Sequence, residues 1–202
     1  GVTGSPPVYL ALVRSMAVYD HGAGPTLYVG GQFTSPGKNI ARYNGVWNSL
    51  GTGASQTVNT LAVFNDGTGE ALYAGGLFTS AGGVVNARRI ARWDGAQWSA
   101  LGTGLDDYPA NALAVFDDGT GKSLYVGGQF THGSGAELRR IARWDGVNWS
   151  PLGAGILDDE SDPEWCGLPE PQCGPRPATV HTLLAFGEQF FVGGDFVSAG
   201  GA

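Results

Sequence analysis

The segment Leu27-Tyr28-Val29-Gly30-Gly31-Gln32-Phe33-Thr34 returns as Leu72-Tyr73-Ala74-Gly75-Gly76-Leu77-Phe78-Thr79, as Leu124 to Thr131, and more loosely as Phe190-Phe191-Val192-Gly193-Gly194-Asp195-Phe196. A chain that repeats itself at about 45 to 66 residues builds each copy as one small unit that cannot bury its own apolar faces, so neighbouring copies must cover one another. Within a unit, Thr60 to Phe64, Leu72 to Phe78, Ile90 to Trp93 and Trp98 to Leu101 are short aromatic and aliphatic runs divided by Gly, Asp and Asn clusters. None has helical spacing, so the four runs read as strands. The first two meet at Asn65-Asp66-Gly67-Thr68-Gly69, repeated as Asp117-Asp118-Gly119-Thr120-Gly121, and the last two at Asp94-Gly95, Asp145-Gly146 or Asn44-Gly45. Such dipeptides tolerate positive φ and suit tight hairpins. The expected class is all-β, built of four-stranded antiparallel meanders.

Units of this size arranged radially make a β-propeller, each blade packing both faces on its neighbours. The Gly-Gly pair would let another backbone approach a strand closely. Tyr43 and Trp47, Trp93 and Trp98, and Trp144 and Trp149 recur at matching places and would fill the wider space between blades. Three full repeats are expected, at about 15–57, 58–109 and 110–179, with a partial fourth at 180–202. The first fourteen residues supply at most one strand, near Tyr9 to Arg14. The ring is therefore expected to be incomplete, with the rest coming from a longer chain or another subunit, because open strand edges invite association.

The 202 residues are 42% hydrophobic, enough for a substantial core. A net charge of −7, with no Lys/Arg cluster beyond Arg88-Arg89 and Arg139-Arg140, disfavours nucleic acid or anionic lipid as partner. Val8 to Val18 is short and interrupted by Arg14, well under the roughly 18 to 20 apolar residues that cross a bilayer, so no membrane insertion is expected. The sequence starts at glycine without a basic segment and apolar run, so any secretion signal is expected to have been removed or to lie outside it. Cys166 and Cys173, the two cysteines, stand in a Pro/Gly-rich stretch and read as one local disulfide of an oxidising, extracellular compartment. The other reading is a metal remnant, opposed by zinc's need for four ligands when no histidine lies nearer than His181.

Leu124 to Thr131, followed by Ile141-Ala142-Arg143-Trp144-Asp145-Gly146 and Trp149-Ser150-Pro151-Leu152-Gly153, resembles the repeats of uncharacterised secreted bacterial β-propeller proteins. The same pattern is similar to the propeller repeats of fungal cortical polarity-marker proteins and covers about Ser15 to Ala202. The double glycine with a following aromatic and tryptophan also resembles kelch repeats in architecture, although Trp47 follows Tyr43 more closely than kelch spacing requires. The resemblance implies a propeller and brings no catalytic residue with it.

Several local patterns have simpler explanations than chemistry. Gly119-Thr120-Gly121-Lys122-Ser123 looks like the end of a phosphate-binding loop, but Phe116 stands where a glycine is needed and a strand follows instead of a helix. Asp66, Asp117 and Asp118 lack the alternating acidic pattern of an EF-hand and read as turn-stabilising residues. Arg42, Arg92 and Arg143 repeat in the third strand, where a carboxylate or carbonyl groups of the neighbouring blade would pair them in a structural ladder. His21, His132 and His181 fall in different units with no catalytic or metal-ligand spacing. Asn148-Trp149-Ser150 matches a glycosylation sequon that a tight turn also explains.

One stretch breaks the repeat. The connection from Gly153 to Leu183 is about nineteen residues longer than its counterpart from Gly102 to Leu113, placing a Cys-containing insert at 156–181. Asp158, Asp159, Glu160, Asp162, Glu164 and Trp165 give it acidic and aromatic character. Function collects in insertions on rigid scaffolds. The candidate binding loop is therefore Asp159, Glu160, Asp162, Glu164 and Trp165, with a decorative surface loop as the alternative. The expected function is a non-enzymatic, extracellular binding or structural module for protein or carbohydrate, with no catalytic, cofactor or metal residues. The alternative is a polysaccharide hydrolase or lyase, which requires paired carboxylates across a central channel.

Overall fold

The computed structural model describes residues 11–106, 108–158 and 177–200. Among them every regular element is a strand and every pairing is antiparallel, so no helix is long and apolar enough to cross a membrane. The first sheet is the meander β1 (Leu12–Tyr19), β2 (Thr26–Gln32), β3 (Ile40–Tyr43), β4 (Trp47–Ser49). The second repeats it with β5 (Val58–Asn65), β6 (Glu70–Gly76), β7 (Ile90–Trp93) and β8 (Trp98–Ala100). In the third unit, β9 (Ala110–Asp117) and β10 (Lys122–Gly128) lead into a small hairpin, β11 (His132–Gly133) and β12 (Ala136–Glu137). Then β13 (Ile141–Trp144) and β14 (Trp149–Pro151) complete the sheet in the order β14-β13-β10-β9. The short β15 (Ile156–Leu157) follows, then the hairpin β16 (Thr179–Phe186) and β17 (Gln189–Asp195), and last β18 (Ser198–Ala199), which pairs with β15.

The expected meander thus holds for three units, with half a unit after them. At the amino end the structure corrects the reading. Leu12–Arg14 belongs to β1, paired with β2 as Leu12↔Gln32 and Val13↔Gly31, so it is part of the first unit and not a separate strand. The β15 and β18 pairing was not foreseen either. It has counterparts in the bridges Ala54↔Ala81 and Leu105↔Gly133, which tie the exit of one sheet to the second-to-third-strand loop of the next.

Successive sheets face one another, and their apolar cores form in between. One cluster joins Tyr28 and Leu50 to Val58, Leu61 and Trp98; the next joins Tyr73 and Leu101 to Ala110, Phe130 and Trp149. A third joins Tyr125 and Ile141 to Val180 and Leu183. The paired glycines have two different duties. A Cβ on Gly30 would sit 2.5 Å from Val58 Cγ1 of the next sheet; one on Gly127 would sit 2.4 Å from Val180 Cγ1. What approaches the first glycine is thus a side chain, not the backbone expected from sequence. A Cβ on the second glycine, at Gly31, Gly76 or Gly128, would strike a main-chain carbonyl of the preceding first-strand region, at Leu12, Thr57 or Pro109. These contacts lie at the bulge in each first strand, where the register shifts.

The tryptophans close the far end of the first two interfaces. Trp98 Nε1 donates to the Leu50 carbonyl of the first sheet at 3.1 Å, and Trp149 Nε1 to the Leu101 carbonyl of the second at 3.4 Å. Cross-strand partners pack tilted against them, with Trp93–Trp98 and Trp144–Trp149 ring centroids 5.4 and 5.0 Å apart. The counterpart pair Tyr43–Trp47 keeps its 5.1 Å spacing, but Trp47 is 47% exposed against 7% for Trp98. No strand pairing joins the fourth hairpin to the first sheet among the described residues.

This contrast gives a matched test. Trp98→Phe deletes a buried donor and part of a packed ring, and should cost about 1–3 kcal/mol in chemical denaturation. Trp47→Phe, at the equivalent but exposed place, should stay within about 0.5 kcal/mol. Equal costs would contradict the packing order.

Candidate functional site

Two rims result from the meander. One carries the turns between first and second strands and the hairpins between third and fourth; the other carries the longer loops and the exits from each sheet.

On the turn rim, each Asp-rich turn organises its own sheet. Asn65 Oδ1 accepts the amides of Gly67 and Gly69, and Asp117 Oδ1 those of Gly119 and Gly121. Asp66 Oδ1 accepts the Thr68 amide at 3.0 Å and its hydroxyl at 2.5 Å, while Oδ2 accepts Tyr73 OH at 2.8 Å and faces Arg92 Nε at 3.0 Å. In the third sheet, Asp118 takes the Thr120 hydroxyl at 2.5 Å and Tyr125 OH at 2.9 Å, with Arg143 Nε 3.6 Å away. The turn reading of these aspartates holds, as does the hairpin reading of Gly119 to Ser123. The arginine ladder is corrected in one respect. Arg92 and Arg143 take their carboxylates from their own sheet and not from a neighbour, because the turn residue and the third-strand residue both flank the second-strand tyrosine.

Electrostatics follow from this geometry. Hydrogen bonds from the Thr120 hydroxyl and amide and from Tyr125, with Arg143 beside them, hold the Asp118 carboxyl down at about 2. Burial, then the hydrogen bond to the Asp118 carboxylate, pushes Tyr125 up to about 12. In the second sheet burial favours a neutral Asp66, but the bonds from Thr68 and Tyr73 and the Arg92 charge outweigh it and leave its pKa lowered; Tyr73 is raised, mainly by burial. The first sheet is a degraded copy. His21 and Ala23 replace the aspartate and threonine. Arg42 reaches His21 Nε2 at 3.4 Å, while the buried Tyr28 hydroxyl and Arg42 Nε have no hydrogen-bond partner.

On the loop rim, the insert leaves and returns through a built neck. Arg140 Nη2 lies 2.6 Å from Asp158 Oδ1 and 2.8 Å from Oδ2, and Arg140 Nε donates to the Ala178 carbonyl at 3.1 Å. Asp158 Oδ1 accepts the Ala178 amide at 2.8 Å, joining the two ends of the insert. Arg140 holds φ +71° and its counterpart Arg89 φ +63°. Arg89 Nε donates to the Asp106 carbonyl at 3.3 Å, so the neck is an adapted version of a repeated contact. The predicted loop residues Asp159, Glu160, Asp162, Glu164 and Trp165, and the pairing of Cys166 with Cys173, lie outside the described residues.

The histidines do not converge. His21 sits in the first turn, His132 hydrogen-bonds Thr131 Oγ1 at 2.9 Å, and His181 Nε2 lies 3.1 Å from Asp195 Oδ2. Asp106 Oδ2 accepts the Thr131 hydroxyl at 2.6 Å and the amides of Thr131 and His132. That arrangement repeats the role of Ser55, whose Oγ accepts the amides of Thr79 and Ser80, so it is a loop cap. A cleft of about 840 Å³ between the first two units is lined by residues including Gln32, Lys38, Asn39 and Gln56, and by no Asp or Glu. No group of three or more metal-binding side chains occurs among the described residues.

One feature escaped the sequence reading. The bulged residue of each first strand is Arg14, Asn59, Asn111 and His181 in turn. Asn59 Nδ2 donates to the Ala110 carbonyl and Asn111 Oδ1, and Asn111 Nδ2 to the Val180 carbonyl. This row crosses all four units along their first strands. Its only sequence signal is a polar residue two places before the leucine or methionine of each unit.

No family model, curated protein or solved structure matches the chain.

Two predictions follow from the turn triads. His21→Asp should supply an acceptor to Tyr28 and Arg42 and raise stability by about 1 kcal/mol, whereas a loss would show that the first sheet cannot accept the arrangement. The depressed Asp118 contributes stability that is present above the ordinary carboxylate pKa, near 4, and is lost as pH falls toward about 2. The raised Tyr125 contributes stability that is lost as pH climbs from about 10 to about 12. Asp118→Asn should flatten both limbs of the thermal midpoint against pH, and limbs unchanged by it would contradict the assignment.

Proposed function

We propose that the chain is an arc of a β-propeller serving as a non-enzymatic binding or structural module, with its ligand, a protein or a carbohydrate, met on the loop rim. Support for the radial reading comes from the first strands, which pack on one another in the order β1, β5, β9, β16, while the tryptophan-bearing strands lie at the far edge of each sheet. In that arrangement the first strands line the axis. The observation that carries the non-enzymatic reading is their composition: the bulged row is Arg14, Asn59, Asn111 and His181, and Asp117 at a turn is the sole Asp or Glu in the four strands. Glycoside hydrolysis needs two carboxylates facing one bond. The other described aspartates in the turns and the neck accept hydrogen bonds from their own surroundings, which suits cohesion.

The insert supports the choice of rim. A neck clamped by Arg140 and Asp158 gives an acidic, aromatic loop a fixed base, which lowers the ordering cost of binding. An extracellular setting, a Cys166–Cys173 bridge and kinship with secreted propeller repeats remain parts of the same proposal.

The test compares the chain with a variant in which residues 159–176 are replaced by a short Gly-Ser linker. Both should release no reducing ends or unsaturated products from a panel of soluble polysaccharides. Retention on a glycan array, or by a purified protein partner, should be lost in the variant alone. Polysaccharide cleavage by the chain would overturn the reading in favour of the hydrolase or lyase alternative.

A further inference from the structure

We infer that the loop rim carries a row of cations, Lys38, Arg88 and Arg139, that binds an anionic polysaccharide. This deepens the binding-module reading above and rests on it. The three residues occupy one place in successive units. Gly53, Gly104 and Gly155 hold φ +76°, +78° and +79° at the exit of each sheet. The amide of the residue after each glycine donates to the carbonyl of Lys38, Arg88 or Arg139, at 2.9, 3.1 and 2.9 Å. That contact uses the main chain alone, so the fold asks for no particular side chain there. All three are nevertheless cationic and exposed. Lys38 and Arg88 form no ion pair among the described residues. Arg139 Nε meets Glu137 Oε1 at 2.9 Å on the open surface, and its side chain stays 45% exposed.

Each cation borders a hollow. Arg88 lines one of about 200 Å³ whose walls come from the second and third units, with Asn86, Thr103, His132 and Ser134 beside it. Arg139 lines one of about 190 Å³ at the next exit, and Lys38 lines the 840 Å³ cleft with Gln32, Ser55 and Gln56. Amide and hydroxyl side chains both give and accept hydrogen bonds, as sugar hydroxyls require. A protein partner is held instead by aromatic and aliphatic anchors, and Leu105, the large apolar residue of the second hollow, is 2% exposed. The net charge of −7 does not oppose this rim, because Asp20, Asp66, Asp94, Asp117, Asp118 and Asp145 stand on the turn rim. On the loop rim Asp106, Glu137 and Asp158 are engaged by neighbouring groups. Facing sheets lie about 10 Å apart, so the cations recur at about that interval. Nucleic acid, with a charge per ~1.7 Å of duplex, is far denser. A polysaccharide with an acid group on a regular fraction of its sugars fits one cation per unit.

The test measures binding of the full chain to immobilised polygalacturonate, dextran sulfate, neutral dextran and poly-glutamate. The chain should bind polygalacturonate or dextran sulfate, the two arms telling carboxylate from sulfate, and should bind neutral dextran and poly-glutamate more weakly. Lys38→Ala, Arg88→Ala and Arg139→Ala should each weaken binding by about two- to fivefold, and the triple variant by about tenfold or more. Lys122→Ala, an exposed cation of the turn rim, should change nothing. Raising salt from about 50 to about 200 mM should weaken the parent more than the triple variant. The substituted side chains are exposed, and an unchanged thermal midpoint checks that each variant keeps the fold. Failure of the chain to bind either anionic polysaccharide, a triple variant that binds as tightly as the parent, an equal loss in Lys122→Ala, or equal retention of poly-glutamate would each overturn the inference. Binding confined to a neutral glycan or a protein would do so while leaving the binding-module reading intact, whereas polysaccharide cleavage would remove that reading itself.

Discussion

Everything in this molecule depends on one contact: the absent side chain of the first glycine in the second strands of the first three units, filled by a valine or alanine and a leucine from the next sheet. Removing a Cβ from a central strand weakens that strand by itself. Here it brings the following first strand close enough for Leu61 and Leu113 to donate their amides to Ser15 Oγ and Thr60 Oγ1. The aromatic residues then fill the space that widens toward the fourth strands, where Trp98 and Trp149 reach the preceding sheet's carbonyls. A short-range notch and a long-range wedge together fix both the spacing and the splay of consecutive sheets.

The turns operate within a sheet. An Asp, a Thr and an Arg gathered about a buried Tyr give its hydroxyl a charged acceptor where it would otherwise be unsatisfied, and burial of a polar group without such a partner is costly. The first unit shows the consequence of losing two members, since with His21 and Ala23 in place of the aspartate and threonine the buried Tyr28 hydroxyl has no hydrogen-bond partner. In the second and third sheets the carboxylate oxygens of the cluster are occupied by its own members, which serves stability.

Much of the fold was legible in the sequence. The four-strand unit, its hairpins at Asp94-Gly95 and Asn65 to Gly69, and the turn role of Asp66, Asp117 and Asp118 follow from local chemistry, which short motifs encode directly. What local chemistry does not encode is which residue stands across an interface. The arginine partners were assigned to the wrong sheet because Asp66 and Arg92 are distant in sequence but meet over Tyr73. The polar row of Asn59 and Asn111 was missed because a bulge shifts one residue out of the alternating pattern. The neck of the insert, Arg140 with Asp158, was half visible: the acidic run was noted, but the role of its first member depends on a positive-φ arginine three strands earlier in the chain.

The central claim is that the glycine notch and the next sheet's side chain are energetically one unit. A double-mutant cycle between Gly30 and Val58 measures it directly. Gly30→Ala alone places a Cβ 2.5 Å from Val58 Cγ1, and Val58→Ala alone empties a fully buried site. The account predicts that the two substitutions together cost less than their sum by at least about 1 kcal/mol, since the added methyl occupies the vacated space. Additivity within about 0.5 kcal/mol would contradict it.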